Sequence, residues 1–252
     1  MKRIAVPLIC VMLAYFAYAY TLPPAPVEDA RASADQSARA TLRIELPAVR
    51  LYFACFGEYD DPGIARVEAA RHATKGSAAF VRAEGDTHWI FASAYENEGD
   101  ARSVCERIAR YEGIAATVQT RTAEAIAVRV TATQRQLGAL SAAVSAIGNY
   151  PKELNALSYR IDGGELDSRT ARALIEIALT EVTAIERELR IALAETDDRF
   201  ALGVYNLALS MRDHVERIAG DEELKGLQLS SALKHHYIQT QLSVMDFMLG
   251  LE

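Results

Sequence analysis

Hydrophobic and polar positions change rhythm three times along this chain, and each change marks an expected boundary. Ile4 to Tyr20 is a run without a charge, preceded by Lys2 and Arg3. As a helix it would span about 25 Å, close to a bilayer core, and its flanking cations predict an inside N-terminus. Residues 1–20 therefore read as a transmembrane anchor, with Tyr15, Tyr18 and Tyr20 at an interface; a signal peptide cleaved near Ala17-Tyr18-Ala19 is the alternative. Either reading puts the rest of the chain outside a cell membrane. Residues 21–48 carry Pro23, Pro24 and Pro26 and then small polar residues without apolar periodicity, the pattern of a flexible linker.

From residue 49 the pattern alternates as strands do, and it does so twice. Val49 to Phe56 is rich in β-formers; a helical stretch runs to Thr74, closed by Lys75-Gly76, and Ala78 to Val81 reads as a short strand. His88 to Ala92 begins the second round, followed by a helix with Val104, Ile108 and Tyr111 on its apolar face. Gly113 ends that helix, and Ile114 to Val118 forms a last strand. Two strand–helix–strand units in tandem predict a four-stranded sheet with two helices on one face, βαββαβ, over residues 49–121.

Beyond a further short strand at 125–130 the period becomes helical, and residues 125–252 predict an all-α bundle, making the whole chain α+β. Leu137, Leu140, Val144 and Ile147 form one stripe, ending at Gly148-Asn149; Pro151 opens a short helix with Leu154 and Leu157. Asp167 or Ser168 caps a long helix striped by Leu174, Ile177, Val182, Ile185 and Leu189. Asp197-Asp198 starts another, with Val204, Leu207, Met211, Val215 and Ile218. After Gly220 the last helix carries Leu224, Leu227, Leu233, Tyr237, Leu242, Met245 and Leu249.

Composition narrows the chemistry. Net charge is -7, which argues against nucleic acid as a partner, since phosphate neutralisation needs clustered Lys and Arg. Cys55 and Cys105 lack metal or redox spacing and read as two separately buried thiols, with one disulfide as the alternative. His235 and His236 point about 100° apart on a helix and cannot share an ion. No catalytic motif, metal-ligand spacing or cofactor fingerprint occurs, so the expectation is a non-enzyme with no catalytic residue, metal or cofactor.

Within 49–121, Gly57-Glu58-Tyr59 with Ala65 eight residues after the glycine is echoed by Ser93-Ala94-Tyr95 with Ala101, and Gly76 and Gly113 precede the final strands. This pattern resembles the sporulation-related repeat (SPOR) domain. The resemblance implies a bacterial cell-envelope protein that binds peptidoglycan glycan strands at sporulation or division septa. Aromatics on an open sheet face would stack on sugar rings, with Trp89, Tyr52, Phe91 and Ser93 as candidate glycan contacts. Alternation puts Trp89, Phe91 and Ser93 on one face; if that face packs on helices, Trp89 is core instead. The family's glutamine two positions before the first glycine is Cys55 here. That departure favours a second reading, a protein-interaction or assembly factor whose helical half recruits an envelope partner.

Overall fold

The computed structural model describes residues 39–251 of the chain. The expected anchor at 1–20 and most of the expected linker lie outside them. Among the described residues no helix is long and apolar enough to cross a membrane.

The protein is α+β, with two antiparallel sheets and six helices among the described residues. In chain order the elements are β1 (Arg39–Leu46), β2 (Val49–Tyr59), α1 (Pro62–Ala73), β3 (Phe80–Glu84), β4 (Thr87–Tyr95), α2 (Glu98–Glu112), β5 (Thr117–Ala123), β6 (Ile126–Thr133), α3 (Gln134–Asp162), α4 (Ser168–Ala192), α5 (Arg199–Gly220) and α6 (Leu227–Leu249). The larger sheet has the order β3-β4-β2-β5, all antiparallel. The two repeated units thus interlock, each contributing one central and one edge strand. β1 and β6 pair separately, Arg39 opposite Thr133 through Leu46 opposite Ile126. The linker expected through residue 48 therefore gives way to a strand at Arg39. Its TLRIEL alternation buries Ile44 and Leu46 while the residues between stay exposed.

The repeated positions have matching structural roles. Asp61 caps α1 through the amides of Gly63 and Ile64, and Asn97 caps α2 through Gly99. Ala65 and Ala101, each in the first turn of its helix, are fully buried. Gly76 and Gly113 take positive φ after the two helices, as expected of C-terminal glycines. Tyr111, expected on the apolar face of α2, is exposed; Cys105 takes the buried place.

Both faces of the larger sheet are covered. Ala54, Phe56, Ile90 and Ala92 meet Ala65, Ala69 and Cys105 beneath α1 and α2. On the opposite side Leu51, Phe53, Phe91, Ala94 and Ala123 belong to one core with Leu140, Tyr237, Ile238, Leu242 and Met245 of α3 and α6. The side expected to lie open is therefore closed by the chain's own helices, and residues 39–251 cluster as a single compact unit.

α6 explains this closure. It is buried on nearly every side, at Leu229, Leu233, His236, Tyr237, Ile238, Gln241, Leu242, Met245 and Met248 among others, as suits a helix with partners all round. Its polar residues satisfy backbone that would otherwise be stranded. Ser231 Oγ donates to Ser77 O at 2.5 Å, Lys234 Nζ to Gly76 O at 2.7 Å, and His235 Nδ1 to Ala78 O at 3.0 Å. The turn between α1 and β3 is thereby stitched to α6. Arg82 of β3 reaches Asp246 at 2.9 Å farther along.

Two helical expectations are corrected. Gly148-Asn149 and Pro151 do not break the chain: α3 runs unbroken from Gln134 to Asp162 with Pro151 buried inside it. Ile147 and Leu154, on either side of the breakers, are both buried, so tertiary packing outweighs the local cost. On α4 the buried stripe is Ala171, Ile175, Ala178, Val182, Glu186 and Leu189, which leaves Leu174 and Ile177 exposed. Val182 and Leu189 are buried as expected, while Leu174, Ile177 and Ile185 each stand one position before the buried Ile175, Ala178 and Glu186.

Candidate ligand-binding cleft

The four residues expected to hold a glycan are not gathered on a free surface. Phe91 is fully buried and its ring lies 4.7 Å from that of Phe53. Trp89 is half-buried and packs against the same core. Ser93 is 5% exposed and donates to the Tyr95 hydroxyl at 2.6 Å.

A β-bulge explains why alternation misled for Ser93. Cys55 pairs with Phe91 and Ala54 with Ser93, so β4 carries one extra residue at Ala92. Past the bulge the parity flips, and Ala94 rather than Ser93 joins Phe91 in the core beneath α6. Tyr52, opposite Tyr95, alternates with Leu51 and Phe53 and so lies on the other face from Trp89. Cys55 and Cys105 are buried free thiols. Burial pushes both thiols up, away from the reactive thiolate.

A cleft that none of the four expected glycan contacts lines lies elsewhere. A cleft of about 770 Å³ runs beside strand β3, between α1 on one wall and α5 with α6 on the other. Arg66, Ala69, Ala70 and Ala73 line the α1 side; Ala79, Phe80 and Val81 form its floor; His214, Arg217, His235 and His236 line the helical side. The small side chains of α1 leave the width open. Arg66 and Arg217 have no carboxylate within ion-pair distance among the described residues, while Asp221 and Glu223 add negative charge on the lining.

Three histidines give this cleft its character. His235 donates through Nδ1 to Ala78 O and sits 5.0 Å from the Phe80 ring. That bond directs its other nitrogen to act as an acceptor when the ring is neutral. His214 of α5 and His236 of α6 meet edge to face, ring centroids 5.8 Å apart. His214 Nδ1 and His236 Nε2 are buried and have no hydrogen-bond partner within the protein. Burial, reinforced by neighbouring positive charge, lowers His214 to about 4 and His236 to about 3, so both rings are neutral near pH 7. No group of three or more His, Cys, Asp or Glu among the described residues could hold a metal ion. The three rings supply neutral donors and acceptors to a lining that also carries Arg66, Arg217, Asp221 and Glu223.

A smaller pocket of about 190 Å³ lies near the ends of α2 and α3. There Lys234 is paired with Asp162 at 2.5 Å, and the rings of Tyr95 and Tyr159 stack 6.1 Å apart. Burial raises both tyrosines, so they remain protonated. Lys234 is already engaged with Asp162 and Gly76 O, so this cluster ties α3 and α6 to the α1–β3 turn. Sequence reasoning missed the His214–His236 pair because its members lie on different helices, where no local spacing signals their meeting.

No family model, no curated protein and no solved structure matches this chain.

Proposed function

We propose that this chain is a protein-interaction factor of the bacterial cell envelope. Residues 1–20 hold it at, or direct it across, the membrane. Its SPOR-like α/β unit is a scaffold rather than a glycan reader. The observation that carries this reading is the continuous core of Phe53, Phe91 and Ala94 with Leu140, Ile238 and Leu242, which fills the sheet face a sugar strand would need. Cys55 is consistent with it, because an apolar thiol in that core stands where the family has a polar amide. With its sheet face occupied, the molecule offers the cleft of about 770 Å³ along an edge strand, and a partner protein enters there.

The test has two arms on the full-length chain. Mixed with purified sacculi, it stays in the supernatant. A photo-crosslinking residue at Gln239, on the cleft lining, traps a discrete protein adduct in cells, whereas the same group at exposed Arg43 on β1 does not. Sedimentation with sacculi that Trp89→Ala weakens would return glycan strands as the ligand. Adducts absent from both positions would remove the interaction reading.

A further inference from the structure

We propose that the partner enters the β3 cleft as an extended peptide that adds a fifth strand to the sheet. The inference rests on the interaction reading above and names the chemistry of that partner.

The first support is the backbone of β3. Glu84 pairs with Thr87 across the two-residue turn Gly85-Asp86, with Gly85 at φ 61°. In such a hairpin the closing pair exchanges both its hydrogen bonds, and bonded pairs then alternate. Glu84, Arg82 and Phe80 accordingly bond to β4, while the N–H and C=O groups of Val81 and Ala83 point away from it. Among the described residues β3 is an edge strand, with β4 as its one neighbour. Ala79, next in the outward series, has its amide satisfied by Ser77 Oγ at 3.1 Å. The free stretch therefore begins at Val81, on the cleft floor. Alternating donors and acceptors at strand spacing are complemented by another extended backbone.

A second, independent observation concerns His236. It is 1% exposed and lines the cleft, yet its Nε2 has no partner in the protein. A buried unpaired ring nitrogen is costly unless something arriving from outside meets it. With its neighbour His214 in the same state, it calls for a ligand side chain with a neutral amide or hydroxyl. The charges on the lining narrow the occupant further. Two arginines and two carboxylates call for a peptide carrying both signs, and a uniformly acidic or basic one is disfavoured.

The probe is a library of random dodecapeptides displayed on phage and selected against the full-length chain, with the winning sequence resynthesised and fluorescently labelled. Binding is read by anisotropy, and amide exchange is read with and without peptide. The expected result is slowed exchange at Val81 and Ala83 on binding, with Ala70→Trp weakening affinity at least tenfold by filling the α1 wall. Ala70 is exposed, so this substitution leaves the fold intact. Val81→Pro, which removes an outward N–H and no ladder bond, is expected to weaken binding similarly. Peptides that bind without slowing Val81 or Ala83, or that ignore Ala70→Trp, would overturn the added strand, as would a library that enriches nothing. In those cases a surviving Gln239 crosslink would leave the interaction reading standing without it.

Discussion

Acid should destabilise this protein through His236 before its carboxylates protonate. The ring is buried between α6 and α5 with its pKa lowered to about 3, first by desolvation and then by the charges of His214 and His235. Unfolded, it titrates near 6.5. Below that value the unfolded chain binds a proton that the folded chain refuses, so folding stability falls as pH drops from about 7 and would level off only near the folded pKa. At pH 5 the gap from the unfolded value is about 1.5 pH units, which amounts to about 2 kcal/mol from this residue. His214, His235 and His72 shift in the same direction, so the whole protein loses more than that. His236→Leu isolates the single contribution: an apolar side chain of similar size fills the site and cannot titrate. Urea unfolding at pH 7.5 and pH 5.0 should show the wild-type protein losing about 2 kcal/mol more than the variant between the two values. Equal losses in the two proteins would refute the reasoning, and so would a wild type more stable at pH 5.0.

Other substitutions probe the packing directly. Phe91→Ala removes a fully buried ring from the layer shared by sheet and helices, and should cost about 3–5 kcal/mol in urea unfolding. Gly203→Ala, in the second turn of α5, would press a Cβ into the Phe247 ring of α6. It should lower stability by about 1–3 kcal/mol despite alanine's better helix propensity, with thermal unfolding as the check.

The strand–helix repeat was legible because its signals are local. Gly76 and Gly113 take the positive φ of helix-ending glycines, and Ala65 and Ala101, at the same spacing in the two halves, hold matching buried places. What could not be read was tertiary. Ser93 changed faces because of a bulge at Ala92 that no residue type announces. The apolar residues of α6, Leu233, Tyr237, Leu242 and Met245 among them, give no sign that Ser231, Lys234 and His235 face anything but water. They are instead bonded to the carbonyls of Ser77, Gly76 and Ala78. Polar residues on a helix mark either water or a distant backbone, and the sequence pattern is the same for both. The cleft depends on that same crossing of α6 over the sheet, so it was hidden for the same reason.

Trp89 is the single tryptophan of the chain and lies on β4, while most of the helix belongs to α3 through α6. Denaturant unfolding followed at once by Trp89 fluorescence and by far-ultraviolet circular dichroism compares sheet with helices in one sample. A core shared between Phe91 and Ile238 requires both signals to change at the same midpoint, in one cooperative transition. Two separated midpoints, with Trp89 reporting an independent unit, would contradict a sheet roofed by its own helices.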